Sequence, residues 1–201
     1  MNFASPTPAL VIFLATLILS AIGLLGRAQL IERSLFRPYW FLRRRQYDTI
    51  LLSGLMHADF PHLIFNLITF YFFAFPLERR IGGFAFLVLY LLGLTVSELG
   101  TYFKHRNNPD YATLGASGAV SAVLFAYIVF YPHQSLIIFP LPIPIPAPLF
   151  AIGYLAYTYY AARHPHGRIN HDAHLGGALT GLAFVAVVEP SAYRNLLSLL
   201  G

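Results

Sequence analysis

The chain has no cysteine. Disulfides and thiolate metal sites are therefore excluded, and the redox state of the compartment leaves no mark on the sequence. Charge is nearly as scarce, with Asp, Glu, Lys and Arg making up 10% of 201 residues. Soluble domains carry about 25%, so a surface wetted on all sides is excluded too. The first ten residues hold no Lys or Arg, and the opening apolar segment is read as a retained span, since a signal peptide begins with a basic region. No linker, internal repeat or soluble domain interrupts the pattern, and residues 1–201 read as one membrane domain.

What the chain does have is apolar length. Hydrophobic residues reach 57% and mean hydropathy is +0.63, in long uncharged runs of the kind that cross a hydrocarbon core about 30 Å thick. Six spans are expected: Ala9 to Gly26, Phe60 to Leu77, Ile81 to Phe103, Leu114 to Tyr131, Leu149 to Ala162 and Asp172 to Val188. The fold class is all-α, a six-helix membrane bundle. Between the first two spans, Arg27 to Asp59 holds six arginines with Tyr39, Trp40, Phe41 and Tyr47, an amphipathic first loop suited to the headgroup region. Proline at 140, 142, 144, 146 and 148 forbids helix there and favours an extended segment. The net charge of +5 is read as affinity for anionic lipid headgroups and not for nucleic acid.

Polar residues inside spans are costly and mark function. Three groups stand out: His57, His62 and Asn66 at the second span, Gly115-Ala116-Ser117-Gly118 at the fourth, and His171 with His174 at the sixth. Each group lies at the start of an even-numbered span. Consecutive spans alternate in direction, so all three converge at similar depth beneath one membrane face. His62 and Asn66 share a helix face at four-residue spacing. His174 shares a stripe with Gly177 and Gly181, a small-residue pair that lets helix backbones approach closely in lipid. Spans four and six packed in this way could bring Ser117 within reach of His174, the condition for an activated serine. Asp172 sits about 200° around the helix from His174, so the spacing points to a dyad and not a triad.

These segments resemble the three signatures of the rhomboid family of intramembrane serine proteases: Gly115-Ala116-Ser117-Gly118, His62 to Asn66, and His174 to Gly181. The Glu78-Arg79-Arg80 turn and the amphipathic first loop are similar as well. The resemblance implies a Ser117–His174 dyad and an oxyanion site built from the Ser117 N–H with His62 and Asn66, flanked by Gly115 and Gly118. It also implies no cofactor, transmembrane-helix substrates, and gating by spans two and five with the loop before span six. A bacterial plasma membrane is the expected location, and the oligomeric state is left open. Two positions depart from the pattern. Asp48 and Thr49 stand where many bacterial relatives carry Trp-Arg, and Ser121 stands where many carry an aromatic residue stacked on the catalytic histidine.

Blander readings compete at each position. Ser117 alone is a helix-packing residue, and His62 with Asn66 can hydrogen-bond between helices. His57 is expected to be structural, His171 to be a loop residue, and Glu98 is given no role. Four histidines on one face raise the question of zinc, but no His-Glu-x-x-His pattern supports a metal. A transporter would show a repeat, and a catalytically dead relative would have lost Ser117 or His174.

The charge count conflicts with the resemblance. Ten of 13 Lys and Arg lie on the site-bearing side (six, two and two in the first, third and fifth loops), which the positive-inside rule places in the cytosol. The resemblance places that side outside, and the first-loop arginines escape the rule if they lie flat in the interface. With no native cysteine, a single cysteine in the Lys104–Asp110 loop reports the orientation. It should react with an impermeant maleimide in intact cells, and labelling only after lysis would reverse the topology.

Overall fold

The computed structural model describes residues 6–138, 141–164 and 169–198. Phe139 and Pro140 of the proline segment, and Pro165 and Gly167 of the expected gating loop, lie outside the described residues. The described chain forms ten helices and one two-stranded hairpin.

Helix α1 (Pro8–Leu24) is followed by three short helices of the first loop, α2 (Ala28–Ser34), α3 (Pro38–Arg43) and α4 (Thr49–Leu55). Then come α5 (Phe60–Ile81), α6 (Gly83–His105) and α7 (Ser117–Phe130). The antiparallel strands β1 (Ser135–Ile138) and β2 (Leu141–Pro146) lead into α8 (Ala147–Arg163), α9 (His171–Val188) and α10 (Ala192–Leu197).

Of the six expected spans, α5, α6 and α9 are long and apolar enough to cross a membrane. The other three are shorter, at 17 residues for α1 and α8 and 14 for α7. The sequence also concealed the join between spans two and three. Helix α5 runs through Pro76 to Ile81, and Gly82 at φ +83° turns the chain directly into α6.

The proline segment departs from a purely helical fold, for a simple reason. In an extended strand, alternate backbone nitrogens face the same side. Ala147 N–H donates to Gln134 O at 2.9 Å, so the odd-numbered nitrogens of β2 face β1. Pro144 and Pro146 therefore turn their hydrogen-less nitrogens to the open edge, where no further strand can pair, and Pro142 lies where the register shifts.

Helix α7 is the axis of the bundle. Eleven of its 14 residues are buried, so it is covered by protein where a lipid-facing helix would be exposed. Its packing depends on small residues. A Cβ at Gly177 would collide with the Gly118 carbonyl, and one at Gly181 with the Ala122 carbonyl. Both contacts advance by four residues on each helix, so α7 and α9 run parallel in near backbone contact. On the other side, Gly118 lies against Ser97 and Gly93 against Ala122, which makes α6 antiparallel to α7. The alternation inferred from sequence is thus present in the three central helices.

The ends are tied by polar groups. Buried Glu78 accepts from Ala9 N–H at 2.9 Å, satisfying one of the orphan donors at the start of α1. Arg80 pairs with Glu189 across the α5 and α9 termini.

Leucine at Gly177 or Gly181 should prevent the α7–α9 approach, since overpacking a core costs about 1–3 kcal/mol and here the obstacle is backbone. Gly100 has open space around it, and alanine there should be neutral or stabilising. Thermal unfolding in detergent checks the contrast: a large fall in Tm for Gly177→Leu and none for Gly100→Ala.

Candidate active site

The turn before α7 is held by the first loop at successive points. Phe36 and Thr113 exchange backbone hydrogen bonds, both at 3.0 Å. Gly115 N–H donates to Ser53 O at 2.9 Å, and Ala116 N–H donates to His57 Nε2 at 3.4 Å. Gly115 has φ +126°, and a side chain there would strike the His62 ring, with Cε1 only 2.5 Å from an added Cβ. Conformation and space both demand glycine at that position.

Ser117 follows as the first residue of α7, partly exposed. The residue before it, Ala116, has no capping side chain. Among the described residues, no hydrogen bond uses the N–H of Ser117 or Gly118. Orphan donors at a helix start carry the positive end of the helix dipole.

His174 is on the first turn of α9, whose start is fixed by Asn170. The Asn170 side chain accepts from Ala173 N–H at 3.1 Å and donates to Thr101 at 2.9 Å and to Thr113 at 3.3 Å. Because Gly118 lies level with Gly177 on parallel helices, His174, one turn before Gly177, sits at the depth of the turn carrying Ser117. Among the described residues no hydrogen bond joins Ser117 Oγ to His174. Apo catalytic pairs are often looser than in the working complex.

His62 and Asn66 line the same end. Asp59 caps α5 by accepting from His62 N–H at 2.8 Å, which places the His62 ring over Gly115. Asn66 is buried and donates to the His62 carbonyl at 3.0 Å. That bond uses one of its two amide hydrogens. Asp172 points elsewhere, to Lys104 at 2.7 Å.

His171 differs from the expected loop residue. Asn170 starts the helix one residue earlier, so His171 belongs to α9, is buried, and meets His174 edge to face at 5.9 Å between ring centres.

His57 has more to do than fix the first loop. It is fully buried, and both ring nitrogens are used. Nε2 accepts from Ala116, so Nδ1 carries the hydrogen and donates to Ser20 Oγ at 3.1 Å. Ser20 in turn donates to Leu55 O at 3.1 Å. One neutral imidazole thus ties α1, the end of α4 and the turn before Ser117. Ser20 was not singled out from sequence; its only signal was a hydroxyl in an apolar run, one turn after Thr16.

A bundle of apolar helices holding a serine, an asparagine and several histidines at one end is an integral membrane protein with a polar centre inside it. The comparisons identify it more closely: residues 44–191 match the Rhomboid domain, and the chain belongs to the rhomboid family. It is 28% identical over 161 residues to RHOMBOID-like protein 12, mitochondrial, of Arabidopsis thaliana, covering 73% of this chain and 48% of that protein. Rhomboid protein 1, mitochondrial, of Saccharomyces cerevisiae is 26% identical over 174 residues, covering 81% of this chain and 49% of that protein. Putative rhomboid protease YdcA of Bacillus subtilis is 38% identical over 74 residues, covering 37% of this chain and 36% of that protein. The chain spans about half the length of the plant and yeast relatives.

Burial holds the His57 pKa down, from 6.5 to about 3, helped by His62 and opposed by Asp59. The folded value lies below the unfolded one, so the unfolded chain takes up the extra proton first. His57 stability is complete above pH 6.5 and is lost as pH falls from there toward about 3. Tm should drop on acidification through this window, and less so in His57→Gln, which can keep both hydrogen bonds without titrating. Parallel curves would assign the loss to other groups.

Proposed function

We propose that the chain is an intramembrane serine endopeptidase in which Ser117 is the nucleophile and His174 the general base. The observation that carries this reading is the backbone contact between Gly118 and Gly177. It sets the first turns of α7 and α9 side by side, each bearing one of the two groups. His174 takes the Ser117 proton as Oγ attacks the scissile carbonyl, and returns it to the leaving amine. Negative charge then develops on the carbonyl oxygen, where the free N–H groups of Ser117 and Gly118 converge with His62 and the second amide hydrogen of Asn66. Asp172 is paired with Lys104, and among the described residues no carboxylate is hydrogen-bonded to His174, which supports a dyad in which no step calls for a metal or cofactor.

Six crossings are part of the proposal, with the shorter α1, α7 and α8 completing the set. The substrate is another protein's transmembrane helix, cut near the outer membrane face. In an intact helix the scissile carbonyl is already hydrogen-bonded and shielded, so the helix must first unwind. That is easiest at Gly, Ser and other poor helix formers close to the interface, where water meets the freed groups. A bacterial plasma membrane is the proposed setting, although the plant and yeast relatives carry mitochondrial names.

Purified protein should cleave a generic transmembrane substrate, and Ser117→Ala and His174→Ala should each abolish cleavage while the protein stays folded. The double variant should be no worse than either, because the pair acts as a unit. Substantial activity in one single variant would sink the dyad. His62→Ala and Asn66→Ala should lower kcat by about 10²–10³ with little change in KM. An effect on KM alone would remove them from the oxyanion site. Leucine in place of glycine and serine around the cut should make the substrate resistant.

A further inference from the structure

A base in a dyad needs its ring held in one orientation, and in a triad a carboxylate does this by hydrogen bonding. Here that device is missing. Asp172 is turned to Lys104, and among the described residues no hydrogen bond reaches the His174 ring. The rings around His174 touch it by their faces and edges and not by hydrogen bonds: His171 meets it edge-on, and Tyr154 of α8 lies nearly parallel to it, 15° between planes and 6.3 Å between centres. That spacing lies within the range of offset stacking.

Tyr154 is itself well fixed. Its ring packs between Phe125 at 5.4 Å and Phe150 at 5.7 Å. Its hydroxyl makes a 3.0 Å hydrogen bond with Ser121 Oγ, and Ser121 is buried one turn beyond Ser117 on α7. The contacts therefore run in a closed path, from the helix of the nucleophile, through Ser121 and Tyr154, to the ring of the base. The small Ser121 side chain is met on α7 by the Tyr154 hydroxyl reaching over from α8.

We infer that Tyr154 is the positioning residue for His174, held in place by Ser121, so that the base is aligned only while α8 is docked on the bundle. This rests on the protease reading. It adds that the helix flanking the site also sets the base: displacing α8 uncovers the site and frees the imidazole at once, and redocking restores alignment.

Two assays on the purified protein separate this role from others. One is the rate at which a small fluorophosphonate labels Ser117, which needs the nucleophile and base but no transmembrane substrate. The other is kcat and KM for cleavage of a transmembrane helix. Tyr154→Leu should lower kcat and the labelling rate by the same factor, about tenfold or more, with KM unchanged. Tyr154→Phe keeps the stack and should recover most of both rates. Ser121→Ala should match Tyr154→Phe, and the two together should be no worse than either, since they remove the same hydrogen bond. If Tyr154→Leu fails to fold, the mild variants decide: a small, equal fall in kcat and labelling rate in Tyr154→Phe and Ser121→Ala at unchanged KM supports the role, and wild-type rates in both overturn it.

Faster cleavage or an altered KM in Tyr154→Leu with labelling unchanged would make Tyr154 a gating residue only and overturn the inference. Equal loss in Tyr154→Phe and Tyr154→Leu would overturn the stacking role. Wild-type protein that neither cleaves nor labels would overturn the protease reading itself, and the positioning role with it.

Discussion

Near-contact between the backbones of α7 and α9 is the constraint on which the rest of the arrangement depends. In lipid there is no hydrophobic force between apolar helices, so association rests on close packing. Gly177 and Gly181 provide it by letting the carbonyls of Gly118 and Ala122 lie where side chains would otherwise stand. The consequence is positional. Two parallel helices in register at Gly118 and Gly177 have first turns that must be neighbours, and those turns carry Ser117 and His174. Gly93 and Ser97 of α6 close the opposite side. Because α7 is enclosed by its neighbours, its position is set from every direction at once.

The second requirement is to keep an irregular turn inside a membrane protein without leaving its backbone unsatisfied. Non-helical backbone at such depth is tolerated only when buried protein satisfies it. Residues 113, 115 and 116 all find partners in the first loop, at Phe36, Ser53 and His57. The loop therefore works as a scaffold for the turn before α7, even with Asp48 and Thr49 in place of a Trp-Arg pair. Arg33 pairs with Asp48, and Thr49 donates to Gln46 O at 2.6 Å, so other contacts hold it. The basic residues beside them lie over aromatic rings, Arg43 on Tyr39 at 4.0 Å and Arg44 on Trp40 at 3.8 Å, as expected of an interfacial segment.

Much of this was legible because membrane burial makes polar residues conspicuous. Ser117, His174, His62 and Asn66 stood out against apolar neighbours, and their common depth followed from alternation of spans. The glycine spacing on α9 was equally readable. What was not legible came from contacts between distant segments. The role of His57 depends on Ser20 and Ala116, 37 residues before it and 59 after it, and no local pattern joins those positions. Tyr154 was one of several tyrosines in a short span, and only the packed bundle shows which ring faces His174. The β-hairpin was half legible: proline at every second residue excluded helix, but pairing needed the partner strand.

The shortness of α7 follows from the same logic. At 1.5 Å per residue its 14 residues reach about 21 Å, against a hydrocarbon core of about 30 Å. A helix in contact with lipid could not stop there, because its free N–H groups would face hydrocarbon. Helix α7 can, since its neighbours enclose it and the first loop covers its start. The groups around that start come from protein: the His62 ring lies against Gly115, and His174 stands on the neighbouring first turn of α9. The shortness of the helix and the burial of its sides thus go together: a helix start whose Ser117 and Gly118 N–H groups make no hydrogen bond among the described residues is enclosed by protein and not by lipid.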